Sequence, residues 1–105
     1  MTTFDDREKG FERKFALGQE QEFKVTARRN RLLGEWAAGL MGLETVDEYA
    51  RAVVKSDFEQ PGDDDVLRKV FGDLKSAGLS TTEGEVRMKM DELLSHARAA
   101  VAGEG

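Results

Sequence analysis

The chain has 105 residues, 39% of them hydrophobic and 35% charged, with a formal net charge of −5, a single histidine and no cysteine. That length allows one compact domain with a modest core, and only if the apolar side chains share matched faces. Disulfides and thiolate metal sites are excluded, no zinc-ligand spacing can be built around His96, and no metal is expected.

The charge is unevenly spread, with a net +2 on residues 1–31 and −7 on the remainder. An acidic body is repelled by nucleic-acid phosphates, so no nucleic-acid partner is expected. The longest apolar run, Trp36 to Leu43, has eight residues, against the roughly 20 that span a bilayer. The N-terminus carries acids at Asp5 and Asp6 and no apolar signal core. The expectation is a cytoplasmic protein without direct membrane insertion.

Residues 1–18 read as an arm separate from a helical bundle over 19–105. Phe4, Phe11 and Phe15 lie at offsets of 7 and 11, a narrow stripe on a helix, and the residues between them are almost all charged or small. Three aromatics on so short a piece bury too little surface to hold it folded alone. Gly10 costs a further ~1 kcal/mol relative to alanine, and Gly18 supplies a hinge. Two readings stand on the residues alone. The arm is a flexible, partly helical segment that orders in a partner's groove, or its phenylalanines cap the bundle as an extension of the first helix.

Four helices follow, over roughly 19–42, 46–59, 64–77 and 82–101. In the first, Phe23, Ala27, Leu33, Ala37, Leu40 and Met41 form the packing stripe, with Leu32 and Trp36 beside it. Thr45 and Glu48 make a capping box for the second, whose apolar face is Val46, Tyr49, Ala50, Val53, Val54 and Phe58. Pro61-Gly62 ends it. Asp63, Asp64 and Asp65 cap the third helix at the positive end of its dipole. Val66, Leu67, Val70, Phe71 and Leu74 are its buried face, and Gly78 its C′ residue. Ser80 to Thr82 with Glu83 and Glu85 start the fourth, in which Val86, Met90, Leu93, Leu94, Ala97 and Val101 face the core. Met90 reads as core and Met88 as periphery. Trp36, Tyr49 and Phe58 read as core aromatics. With short links and no period-two segment, the fold is all-α, a four-helix up-down bundle.

Arg28, Arg29 and Arg31 form the one basic cluster. It reads as a solvated face, as partner to Asp63–Asp65, or as a phosphate or nucleotide contact. No GxxxxGK[ST] loop is present, so any adenine-nucleotide binding is expected to be weak, and no other cofactor is expected. His96 fits the dipole of a helix C-terminus. The Asp63 run cannot be a calcium loop, because its twelfth position is Leu74. No base and nucleophile can be paired around one histidine, so the chain is not expected to be an enzyme and has no catalytic residues.

The chain contains, in order, Phe4-Asp5-Asp6-Arg7-Glu8, Phe11-Glu12, Lys14-Phe15-Ala16, Ala27-Arg28-Arg29-Asn30, Leu32-Leu33-Gly34, Trp36-Ala37-Ala38, Tyr49-Ala50, Asp57-Phe58 and Gly62-Asp63-Asp64-Asp65-Val66. This set resembles the ζ subunit, the inhibitor of the F-type ATP synthase of α-proteobacteria, from Thr3 to about Ala97. The resemblance implies a four-helix protein whose N-terminal segment enters a catalytic interface between α and β subunits and reaches the central γ stalk. Lodged there it blocks rotation in the hydrolytic direction, and the bundle acts as a stop. Carried over by position, the partner-binding residues are Phe4, Asp5, Asp6, Arg7, Glu8, Phe11, Glu12, Lys14 and Phe15. Gly10 and Gly18 stand where helix formers are expected in many relatives. The same resemblance implies peripheral membrane association through the synthase, and nothing in the helix stripes demands a second copy, so a monomer is expected when free. The rival reading is a nucleotide- or small-molecule-sensing helical bundle with a flexible tail, and a weaker third is a helical adaptor for some other partner.

Overall fold

The computed structural model describes residues 18–104. Four helices form: α1, Gln19–Met41; α2, Val46–Glu59; α3, Asp63–Ser76; and α4, Glu83–Glu104. No strand occurs among the described residues. The fold is the all-α four-helix arrangement expected from the sequence periodicity.

The ends of the helices show which local signals act. α1 closes at Gly42, whose φ of 69° is left-handed. Its N–H donates to the carbonyl of Gly39, and that of Leu43 to the carbonyl of Ala38, the paired bonds of a Schellman cap. α3 ends the same way, at Gly78 (φ 84°), with Leu79 donating to Leu74. At the start of α4 a capping box is complete: Glu85 N–H donates to Thr82 Oγ1, and Thr82 N–H to Glu85 Oε1, both at 3.1 Å.

The capping box expected at Thr45 is not formed. Thr45 follows the left-handed Gly42 by only three residues and has φ −95° and ψ 63°, outside the extended geometry that aims a capping side chain, and it makes no cap bond. Asp63–Asp65 likewise do not cap α3. The cap position is Gly62, φ 135°, and the three acids occupy the first turn, where they face the positive end of the dipole. They are spread over three partners, Arg29, Arg87 and Arg68. The hydrogen bond and charge of Asp65 raise the pKa of Arg68.

α1 is the central element. Gly34 packs against α2 so closely that a Cβ there would stand 2.6 Å from Ala50 Cα. α4 lies antiparallel on another side, with Val25 against Ala97 and Val101 at one end and Lys89 Nζ 5.7 Å from the Trp36 ring centre at the other. α3 completes the core, in which Leu33, Ala37, Val53, Val66, Leu67, Val70, Leu74, Val86 and Met90 meet. Tyr49, half-buried, donates its hydroxyl to Asp73 Oδ2 at 2.7 Å. Burial first, then that hydrogen bond and the carboxylate's charge, push its pKa far above the ordinary phenol value.

Three apolar residues assigned to the core by periodicity lie outside it. Phe23 is 54% exposed, Phe58 57% exposed, and Leu40 also faces out. The inner face of α1 is instead Val25, Arg29, Asn30, Leu33, Gly34, Ala37 and Ala38. The closest approach to α2 on that face is made at Gly34, and Phe23, two residues before Val25, points the other way. Met90 is buried and Met88 is 73% exposed, as read from their spacing.

Gly34→Ala should push α1 and α2 apart and lower stability by about 1–3 kcal/mol in urea unfolding. Gly72→Ala, in α3, adds a methyl that meets nothing and should instead be neutral or gain roughly 0.5–1 kcal/mol.

Candidate functional site

The arginine cluster is divided by the fold. Arg29 turns inward and is 2% exposed. Its Nη2 meets Asp63 Oδ1 at 2.7 Å and its Nε donates to Asn30 Oδ1 at 2.8 Å. Asn30, also buried, donates to Asp57 Oδ2 at 3.1 Å, while Asp57 Oδ1 accepts from the N–H of Gly62 at 3.2 Å. The chain Asp57–Asn30–Arg29–Asp63 pins the α2–α3 turn onto α1 and is fully satisfied, with no orphaned buried side-chain atom among the described residues. Arg29 is thus the partner of Asp63, one of the alternatives its sequence position allows.

Arg28 and Arg31 point outward. Arg28 pairs with Glu104 at 2.5 Å, and Arg31 with Glu35 at 3.2 Å and Asp47 at 3.0 Å. Both line an open groove of about 1020 Å³ that runs over α1 between α2 and α4. Ala27, Leu32 and Glu35 join them from α1. Arg51, Val54, Lys55 and Phe58 come from α2, and Leu93, His96 and Ala100 from α4. The apolar side chains make the floor and the charged ones the rim. A second hollow of about 240 Å³ continues from it past Phe58, lined also by Phe23, Asn30, Asp57 and Pro61. At the junction the Phe23 and Phe58 rings meet with centres 5.1 Å apart, tilted by 53°, in the offset geometry aromatic quadrupoles prefer.

The lining holds four arginines and lysines against one glutamate, and Glu104 and Asp47, which pair with Arg28 and Arg31, reduce that formal +3 to +1, on a chain whose net charge is −5. Arg51 and Lys55 lie one turn apart, and neither forms an ion pair with a carboxylate among the described residues. Sequence reading placed Val54 and Phe58 in the core and singled out neither cation. The signal was there: Arg51, Val54, Lys55 and Phe58 have offsets of 0, 3, 4 and 7, one helical stripe mixing cations with apolar groups. His96 is exposed at the groove. The expected partner-binding residues Phe4, Asp5, Asp6, Arg7, Glu8, Phe11, Glu12, Lys14 and Phe15 lie outside the described residues.

No group of three or more metal-ligating side chains occurs among the described residues, and none of their helices is long and apolar enough to cross a membrane. What the surface offers is an apolar floor with a charged rim, which suits contact with another molecule. Fold and surface together define a small all-helical protein with a groove open to a partner. The sequence model of the ATPase inhibitor subunit zeta family matches residues 1–100, and the chain belongs to that family. A structure determined by solution NMR is 43% identical to this chain, covers 80% of it and 98% of its own length, and superposes with a TM-score of 0.67. Comparison with curated proteins yields no match. Family membership assigns the chain an inhibitory, non-catalytic role toward an ATPase.

Removing the Arg29 side chain leaves Asn30 Oδ1 without its donor, Asp63 without its cation and a gap beneath the α2–α3 turn. Arg29→Ala should cost about 2–3 kcal/mol in chemical denaturation. Arg28→Ala and Arg31→Ala, which break exposed pairs, should each stay within about 1 kcal/mol of the parent.

Proposed function

We propose that this protein inhibits ATP hydrolysis by an F-type ATP synthase, inserting the segment Thr2–Leu17 at a catalytic α/β interface, where it reaches the γ stalk and stops the rotor. The observation that carries this reading is the extent of the family match, which begins at residue 1 and so includes the arm with the bundle. The bundle is the stop that sets how far the arm enters. At Gly18 the backbone is extended (φ −63°, ψ 166°), so α1 begins afresh at Gln19 and the arm's direction is not dictated by the α1 axis.

The energetics assign roles within the arm. Phe4, Phe11 and Phe15 each contribute ~1.5–3 kcal/mol when fully buried, while ordering the backbone costs ~1–2 kcal/mol per residue. Apolar burial alone does not offset that cost. Helix hydrogen bonds and pairing of Asp5, Asp6, Arg7, Glu8, Glu12 and Lys14 in the partner's cleft supply the rest. Replacing Phe4, Phe11 and Phe15 together with alanine should abolish inhibition of ATP hydrolysis by the purified catalytic sector while leaving the melting temperature of the bundle nearly unchanged. Full inhibition by the triple variant would remove the arm as effector.

A second reading, a bundle that senses an adenine nucleotide or another phosphate ligand, is favoured by one observation: Arg51 and Lys55 stand without carboxylate partners among the described residues, in the groove that the exposed ring of Phe58 also lines. Titrating ATP into a chain lacking residues 1–17 should then move amide resonances of Arg28, Arg31, Arg51 and Lys55 more than those of α3. Shifts no larger in the groove than elsewhere would dismiss it.

A further inference from the structure

We infer that the Phe23–Phe58 pair, with the cations Arg51 and Lys55 on the same α2 stripe, is a second contact with the ATPase. It seats an apolar, acid-flanked patch of the ATPase surface beside the place where the segment before Gly18 is held. This rests on that segment being the inserted element, as proposed above.

Single apolar side chains at a surface need no partner, but a contiguous apolar patch with a polar rim marks an interface. Phe23 and Phe58 touch each other, and each still leaves more than half of its surface to water. Ala27, Val54 and Pro61 line the hollow that the two rings share, and Ala27 and Val54 carry the apolar surface on into the groove. Leu40, Leu43 and Met88, the other large apolar residues exposed among the described ones, line neither space. Aromatic groups set over a hollow are the kind of anchor that carries most of the energy of an interface.

Position names the partner. Gly18 is tied to the first turn of α1 by the bond from the Glu22 N–H to its carbonyl, at 2.9 Å, and α1 runs unbroken from Gln19. Phe23 therefore stands about 8 Å along the helix axis from the residue at which the preceding segment leaves the bundle. Whatever conformation that segment takes, a partner that holds it as far as Leu17 has its surface at this end of α1. Joined through the backbone, the second contact forms at an effective concentration in the millimolar range, so a patch too weak to bind alone still raises affinity.

Charge names the chemistry. Arg28 is engaged by Glu104, and Arg31 by Glu35 and Asp47. Arg51 and Lys55 are exposed, form no ion pair among the described residues, and share the α2 stripe that ends in Phe58. The neighbouring acids are directed elsewhere: Asp57 accepts from Asn30 and from the N–H of Gly62, and Glu59 lines a separate hollow with Arg68 and Lys69. The complementary surface therefore offers an apolar side chain to the two rings and a carboxylate within about one helical turn of it.

The test uses the full chain and the purified catalytic sector. Phe23→Ala with Phe58→Ala should raise the concentration for half-inhibition of ATP hydrolysis about 30-fold, the size of effect that truncating aromatic anchors produces, while inhibition at saturation stays complete. Arg51→Glu with Lys55→Glu, which leaves the core untouched, should raise it about tenfold, and by more at low salt. Because the chain has no cysteine, Thr26→Cys gives one attachment point for a photoactivated cross-linker in the hollow beside the rings, and an adduct with a subunit of the catalytic sector should form. Lys75→Cys, exposed near the end of α3, should give none. An unchanged midpoint in both double variants would overturn the contact. So would equal adducts from positions 26 and 75, or an adduct between two copies of this chain in place of one with the ATPase. A lowered plateau instead of a shifted midpoint would overturn its role in affinity. If the aromatic variant melts below the assay temperature, the charge variant and the cross-link decide. Alanine at Phe4, Phe11 and Phe15 judges the arm separately. Inhibition lost there, with both patch variants unaffected, removes the contact and keeps the arm; inhibition kept there, with weakened patch variants, removes the arm and keeps the contact.

Discussion

The arrangement of this protein turns on a guanidinium buried in the middle of its central helix. Arg29 cannot be desolvated alone, and the charge and hydrogen-bonding groups it requires come from two other places in the chain: Asp63 at the first turn of α3 and Asn30 beside it, which in turn holds Asp57 near the end of α2. One satisfied network therefore fixes the tight α2–α3 turn against α1. The close approach at Gly34 then determines how near α2 can lie. With α2 set on one side and α4 on the other, the exposed strip of α1 between them becomes the floor of the groove.

The same network explains why neighbouring arginines have different fates. Arg28 and Arg31 sit 100° and 200° around the helix from Arg29 and remain in solvent, where their ion pairs are worth little. They serve the surface potential of the groove rather than the fold. Arg51 and Lys55 add to that potential from α2. The cations of the groove thus come from two helices.

Much of this was legible from residue spacing because local rules acted without competition. Gly78 stands at a helix end where only a residue tolerant of positive φ fits, and Thr82 with Glu85 satisfies two donors at once. Met90 and Met88 separate cleanly at an offset of two. The FDDRE, ARRN and GDDDV segments carried the family resemblance. Other features were hidden because tertiary packing overrode the pattern. The inner face of α1 runs through Val25, Arg29, Asn30, Leu33, Gly34, Ala37 and Ala38, and the bulky Phe23 that hydrophobicity alone puts inside falls on the opposite side of the helix, at the surface. Thr45 has the right residue three places ahead, but the left-handed turn at Gly42 leaves its backbone in the wrong region. The groove could not be seen in any single helix, since its floor and rim come from three.

The core is also lopsided. Nine buried side chains meet where α3 covers the bundle, but at the end where the arm begins only Val25, Ala97 and Val101 are buried together. That end is otherwise tied by charge, Glu22 to Arg98 and Arg28 to Glu104. Little apolar surface must be exposed to part the first turns of α1 from the last turns of α4, so this end has a low threshold for local opening, well below that for unfolding the whole. Residue 18, from which the preceding segment leaves the bundle, is therefore rooted in a part of the fold that can give way under load, and a pull on that segment would be felt first as a separation of these two helix ends while the main core stays intact.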